Sequence, residues 1–372
     1  MGIVFALHID TARTWRGGQN QVLLTVLGMR AIGHRAVLVA HPEGELYRRA
    51  SEGPDLVPLA PHNEVDLSAA WKLSRIIKQW KPPIVHAHDP HAVSMAGLAL
   101  SFSAPEPRPR IVASRRVDFH LQTHSFSRWK YRQVDLFIAA SEAIKNILIH
   151  DGIAASQIIV VHDGIDVAKI GRLPALDIHA EFWLPHGVPV LANVGALVTH
   201  KGQRYLIDAM PQVLREVPDA HLVIFGEGEL RPTLERQIKD LHLEKHVILA
   251  GFREDVLQLV KSADLFVMSS VTEGLGSTVL DAMAMHLAVI GTHAGGIPEA
   301  VSEGQTGLLV PTADANALAH AMALLLKDRQ LRRRMGEAGH RRVSEQFGVA
   351  RLLETTLKAY ANQAAPALAH RG

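Results

Sequence analysis

Two carboxylates and a lysine are the side chains whose neighbours best equip them for chemistry. Glu273 opens a glycine-rich stretch, Glu273-Gly274-Leu275-Gly276-Ser277-Thr278, and Asp281 follows eight positions after Glu273. The upstream run 263–270 (Ala-Asp-Leu-Phe-Val-Met-Ser-Ser) reads as a buried strand. The order is therefore strand, flexible loop, helix start. Such a start offers unpaired N–H groups and a positive dipole end, which suit an anionic or polyhydroxyl ligand. Eight residues of continuous helix would rise about 12 Å. Glu273 is therefore assigned to the loop and Asp281 to the helix, with Ser277 as a candidate N-cap. Two carboxylates so placed can hold different parts of one extended ligand, unlike the pair that flanks a single bond in a glycosidase. A capped helix with an incidental carboxylate is the plainer reading of the same residues.

Lys201 lies in Thr199-His200-Lys201-Gly202, ahead of an amphipathic helix. A lysine at a helix start can neutralise a pyrophosphate without metal, or be a solvated surface cation. Gly17-Gly18 separates the first strand from the first helix and allows close approach to phosphate or sugar. An ordinary strand-to-helix turn would need the same glycines. The spacing is not G-x-G-x-x-G, which disfavours a nicotinamide or flavin. Gly226 follows a strand at 222–225, and Arg253 follows one at 247–249, where a nucleobase could lie against the backbone. Turn chemistry explains both equally well.

His86-Ala87-His88-Asp89-Pro90-His91 has the residue types of a metal site. Its two alternating histidines end a strand, and the chain has 22 histidines, so cleft-lining or structural roles rank above metal and no metal ligand is assigned. Arg115-Arg116 follows another strand, and Phe126, Arg128, Trp129, Lys130, Tyr131 and Arg132 come soon after. Mixed basic and aromatic residues suit an anionic membrane or a glycan, or simply an amphipathic helix packing Trp129 inward. No motif supports nucleic acid.

Short apolar runs alternate with helical patterns along the whole chain, which argues for parallel α/β units. Strands are expected at 3–9, 35–40, 84–87, 111–113 and 136–140, then again at 188–194, 222–225, 247–249, 265–268 and 288–291. The first helix is expected to bury Val22, Leu23, Val26, Leu27 and Ala31. Another helix is expected from about Gln203 to Arg215. The pattern restarts after a weakly periodic stretch, Gly164–Pro174, read as a hinge. The expected domains are 1–168 with about 349–362, and 169–348, with 363–372 as a disordered tail. Two doubly wound domains would face each other across a deep cleft, with the helix at 349–360 crossing back to the first.

At 372 residues the chain exceeds one ordinary core. No apolar run approaches the roughly 18–20 residues of a membrane span. Residues 1–8 lack a basic stretch and cleavage pattern and read as a first strand. The absence of cysteine excludes disulfides and thiolate metal sites and is compatible with a cytoplasmic location. Residues 1–170 carry 19 Lys/Arg against 15 Asp/Glu, and the remainder 20 against 22. The first half is thus the basic one, which suits an anionic partner.

Taken together these pieces resemble the family 4 retaining glycosyltransferases, which have the GT-B fold. The resemblance spans nearly the whole chain. It is carried by Gly17-Gly18, His86-Ala87-His88, Ala140-Ser141-Glu142, residues 162–166 (His-Asp-Gly-Ile-Asp), His200-Lys201-Gly202, and the Glu273 loop with its trailing Gly295-Gly296-Ile297-Pro298-Glu299. It implies a nucleotide-diphosphate sugar as co-substrate, held mainly by the second domain, and a glycan or lipid-linked acceptor held by the first. By that analogy Glu273 meets the donor sugar, Asp281 the ribose, Lys201 the diphosphate, and Leu275, Gly276 and Ser277 offer backbone groups. Gly17 would approach from the other domain.

The chain departs from the family pattern in three places. Asp281 replaces the usual Glu, Ala196 stands where Arg is common, and Arg115-Arg116 follows the strand after which many members place a cleft His. Arg116, or Arg115, is the candidate to restore the missing cation. The resemblance implies metal-independent hexosyl transfer in bacterial envelope or polysaccharide synthesis, at the inner face of the cytoplasmic membrane. A UDP-sugar epimerase of the same fold and a weakened sugar-nucleotide-binding protein are the rivals.

Overall fold

The computed structural model describes residues 2–50, 55–102, 105–122 and 124–361. The chain forms two compact units, one from the described residues of Met1–Gly164 and Val349–Gly372, the other from Ile165–Gly348.

The first unit is built on a seven-stranded parallel sheet. Its strands are β1 (Phe5–Asp10), β2 (Arg35–Ala40), β3 (Leu56–Pro58), β4 (Ile84–Ala87), β5 (Arg110–Arg115), β6 (Leu136–Ala139) and β7 (Ile158–Val160). They lie in the order β3-β2-β1-β4-β5-β6-β7. The helices are α1 (Gly17–Ala31), α2 (Glu45–Ala50), α3 (Leu67–Trp80), α4 (Pro90–Phe102), α5 (Ser125–Arg132) and α6 (Glu142–His150). Buried apolar clusters line both faces of the sheet. That is why its central strands read as near-continuous apolar runs, interrupted in β1 and β4 by His8 and His86, rather than alternating ones.

The second unit has a six-stranded parallel sheet in the order β10-β9-β8-β11-β12-β13. These strands are β8 (Val190–Val194), β9 (His221–Phe225), β10 (Val247–Gly251), β11 (Leu265–Met268), β12 (Val289–Thr292) and β13 (Gly307–Val310). Around them lie α7 (Val167–Arg172), α8 (Ile178–Glu181), α9 (Gln203–Glu216), α10 (Arg231–Asp240), α11 (Val256–Val260), α12 (Ser277–Ala284), α13 (Ile297–Ala300), α14 (Ala315–Lys327) and α15 (Arg329–Gln346).

The last helix, α16 (Val349–Ala361), returns to the first unit. Leu353 fills the space at Gly28 in α1, where an added Cβ would lie 2.7 Å from its side chain. Leu352 packs against Gly164, and the Tyr360 hydroxyl bonds His86 Nδ1 at 2.6 Å.

The expected core strands form with ends shifted by a few residues. The sequence reading omits β3, β7 and β13. All three are sheet-edge strands of three or four residues, only partly buried. The α1 face is rotated from the expected one. Gln21, Val22, Thr25, Val26 and Met29 are buried, whereas Leu27 is exposed. Gln21 is inward because its amide both donates to the Gly164 carbonyl and accepts from the Gly164 N–H, at 2.9 and 2.8 Å. Two matched hydrogen bonds offset the cost of burying that amide. The tail expected at 363–372 lies outside the described residues.

Candidate functional site

Strand order identifies one special point in each sheet. In the second, β8 and β11 are neighbours, and the chain leaves them toward opposite edges. Open α/β sheets bind ligands at the carboxyl ends of such a strand pair. Lys201 follows β8 and Glu273 follows β11. The two loops are tied together by hydrogen bonds. The Val271 N–H donates to the His200 carbonyl at 2.7 Å, and the Ser269 hydroxyl donates to the Lys201 carbonyl at 3.1 Å. Gly202 has φ +66°, and a Cβ there would sit 2.1 Å from the Ser269 carbonyl oxygen. Glycine at 202 is therefore what lets the loops meet.

Lys201 Nζ donates to Glu273 Oε2 at 2.5 Å, and the Ser270 hydroxyl donates to the same oxygen at 3.1 Å. Both side chains retain some exposure, 20% and 14%. Sequence spacing did not suggest that these two groups touch. Behind Glu273, the turn beginning at Gly295 lies so close that a Cβ there would be 1.7 Å from the Glu273 carbonyl oxygen. The trailing glycines thus back the loop.

Ser277 is not the N-cap of α12. Gly276 takes that position in the left-handed conformation, φ +85°, and no side chain caps the helix. Helix α9 likewise begins at Gly202 without a side-chain cap. Two helix N-termini thus present backbone donors and positive dipole ends near Lys201 and Glu273. The Leu275 side chain is buried in the core, so only its backbone is available to a ligand. Asp281 is half-buried on α12. Burial, with no hydrogen-bond donor or cation opposing it, pushes its carboxyl up to about 7.

Two expected site residues have structural duties. At Gly226, φ is +139° and a Cβ would meet the Gly195 carbonyl oxygen at 2.0 Å, so close passage of the backbone already requires glycine there. The Arg253 guanidinium is shared between both oxygens of Asp255, at 2.8 Å each, and Glu181 at 2.5 Å. At Ala196, where the family cation is lacking, the carbonyl accepts from the Gln203 amide at 3.0 Å.

In the first unit, β1 and β4 form the equivalent strand pair. A cavity of about 230 Å³ opens there, lined among others by Arg16, Gly18, Gln19, His88, Asp89 and Arg116. Gly17 and Gly18 form the first turn of α1 rather than a loop before it. A Cβ on Gly18 would meet nothing within 4 Å. No contact inside the protein requires glycine there. Asp10, at the end of β1, was not singled out by the sequence reading. Burial and the nearby Asp89 push its carboxyl up to about 7, against hydrogen bonds from the Ala12 N–H and Gln19 amide.

Arg116 lies on this cavity with Nε donating to Asp163 at 2.9 Å and Nη1 near His88 Nδ1 at 3.4 Å. Arg115 donates to the Phe119 carbonyl. His8 and His86 are register partners in β1 and β4, which clusters their rings with that of His88, with His8 and His88 stacked and His86 tilted against both. Burial holds all three imidazoles below their ordinary range, His8 at about 3. Their nitrogens are close enough for a metal group. His86, however, already uses both nitrogens, on Tyr360 and on the Ser114 hydroxyl at 2.8 Å. As arranged, the trio is a hydrogen-bonded cluster.

Residues 15–169 match the model "Glycosyltransferase Family 4", and residues 177–342 match "Glycosyl transferases group 1". The chain is similar to the N-acetyl-alpha-D-glucosaminyl L-malate synthase of Bacillus anthracis, 29% identical over 76% of this chain and 75% of that protein. It is also similar to the lipopolysaccharide core biosynthesis glycosyltransferase LpsE of Rhizobium meliloti, 32% identical over 52% of this chain and 55% of that one. The fold matches Anabaena HepE, solved with UDP and glucose, at TM-score 0.81 and 20% identity, covering 96% of this chain and 99% of that one.

Proposed function

Because the chain belongs to the family 4-like glycosyltransferases of GT-B fold, we propose that it moves a hexose-type sugar from a nucleotide-diphosphate donor, with retention and without metal, to a glycan or lipid-linked acceptor of bacterial envelope or polysaccharide synthesis. The observation that carries this reading is the Lys201–Glu273 pair, set between two helix N-termini that no side chain caps.

As the glycosidic bond breaks, negative charge gathers on the departing nucleoside diphosphate. In this reading Lys201, held in place by Glu273, and the helix N-terminal N–H groups receive that charge with little reorganisation. Glu273 has both of its hydrogen bonds on Oε2, which leaves Oε1 to accept from sugar hydroxyls. Asp281, short of donors in the protein, accepts from the ribose hydroxyls. In this reading the acceptor occupies the Gly18–Arg116 cavity, and the leaving phosphate takes the proton from its hydroxyl as it attacks from the same face. LpsE's role in lipopolysaccharide core synthesis supports an envelope acceptor. HepE's complex with UDP and glucose makes UDP-sugars the first donors to test.

Peripheral contact with an anionic membrane belongs to the same reading. It is supported by exposed Val117 and Phe119 and by the surface cations Arg128 and Arg132. Among the described residues no helix is long and apolar enough to cross a membrane.

A nucleotide-release screen across UDP-, GDP- and ADP-sugars tests the proposal through slow acceptor-free hydrolysis. Release of nucleoside diphosphate from one donor is the expected result. An epimerised sugar nucleotide, or binding without turnover, would overturn it.

A further inference from the structure

A second group of ligating side chains lies on the first unit, apart from the strand-pair cavity. His120 sits in the loop between β5 and α5. His150 ends α6, and Asp151 caps that end. Nδ1 of His120 is 2.6 Å from Asp151 Oδ1, and Nδ1 of His150 is 3.7 Å from the same oxygen. The three ligand atoms lie within 4.8 Å of one another. Asp151 is held from behind, because its Oδ2 accepts from the Leu121 N–H at 2.6 Å. Its side chain is only 9% exposed, whereas those of His120 and His150 are 61% and 79% exposed.

An ordinary ion pair explains part of this geometry. One imidazole N–H satisfies Oδ1. The second nitrogen, at 3.7 Å, is too far for a hydrogen bond. It is close to the roughly 3.3 Å that separates two ligand atoms on a tetrahedral ion with bonds of about 2.0–2.1 Å, whereas the 2.6 Å His120 contact is a hydrogen bond that must lengthen when an ion replaces its proton. Two imidazoles from different elements therefore converge on one carboxylate that the backbone already orients, as supporting hydrogen bonds do around metal ligands.

We propose that His120, His150 and Asp151 form a surface site for a divalent transition-metal ion of the zinc type, with water completing its shell. The ion would staple the β5–α5 loop to the end of α6. Arg115 lies close enough to interact with Asp151, so one cation opposes the incoming ion. The site is separate from the proposed transfer chemistry, so its test does not use turnover.

The full chain is titrated with Zn²⁺ alone, in competition with a chromogenic chelator at neutral pH. One equivalent is expected to bind. His120→Asn and His150→Asn are each expected to weaken it at least about tenfold without shifting the melting temperature, since both side chains are exposed. Zn²⁺ should also slow proteolysis within 116–122 in the parent and not in the variants. Absence of a bound equivalent overturns the assignment. So does an equivalent that both variants retain to within tenfold, which would place it on the buried histidine cluster or elsewhere.

Discussion

Replacing Asp281 by Asn separates what this carboxyl does for the ligand from what it costs the fold. Its ordinary value of 3.8 is raised to about 7 by burial. Below pH 3.8 the group is protonated in both folded and unfolded chains and has no effect on stability. Between there and about 7 the unfolded chain has released the proton and the folded chain has not, so stability falls as pH rises. Above 7 the loss is complete. At about 1.4 kcal/mol per pH unit the interval sets a ceiling of about 4 kcal/mol. The side chain is only half-buried, and screening reduces this to about 2 kcal/mol.

Asn does not titrate. The stability of Asp281→Asn relative to the parent should therefore climb by about 2 kcal/mol between pH 4 and pH 8, measured by urea unfolding at each pH. Asp10, also raised to about 7, titrates identically in both proteins and cancels. Ribose hydroxyls donate best to the ionised carboxylate. UDP affinity of the parent should thus rise through pH 7, and the variant should bind about 10- to 100-fold more weakly above it. A pH-independent stability difference would refute the burial argument. Equal UDP binding at pH 8 would refute the ribose assignment.

Glycine substitutions should divide by role. Gly18→Val, with open space around its Cβ, should change stability by less than about 1 kcal/mol in urea unfolding while weakening donor or acceptor binding in calorimetry. Gly226→Ala, forced onto the Gly195 carbonyl at a positive φ, should cost more than about 3 kcal/mol in the same unfolding assay. EDTA should leave the transfer rate within about twofold, because the cationic groups proposed for the diphosphate are Lys201 and helix N-termini rather than an ion. Strong chelator inhibition, checked by nucleotide release, would contradict that.

The central strands and the strand–loop–helix around Glu273 were legible because parallel strands covered on both faces are near-continuous apolar runs. The edge strands β3, β7 and β13 were not, since at the sheet edge they are only partly buried and lack the doubly covered apolar signature of the central strands. Lys201 and Glu273 are 72 positions apart, and each was legible alone. Their 2.5 Å contact depends on β8 and β11 becoming neighbours, which is a matter of topology. Gly276 capping α12 in place of Ser277 was hidden because a left-handed glycine and a serine cap compete at adjacent positions. Gln21 facing inward depends on the backbone of Gly164, 143 residues away, a partner that no periodicity reveals. Asp10 was overlooked because it ends an apolar strand, and its proximity to Asp89 again depends on β1 lying beside β4.

The proposed donor clamp is tested most directly by acceptor-free nucleotide release from a UDP-sugar, comparing the parent with Glu273→Ala under conditions where both are shown folded by their melting curves. The account predicts release by the parent and a loss of about 10²–10³-fold in the variant. Unchanged release from a folded Glu273→Ala protein would contradict it.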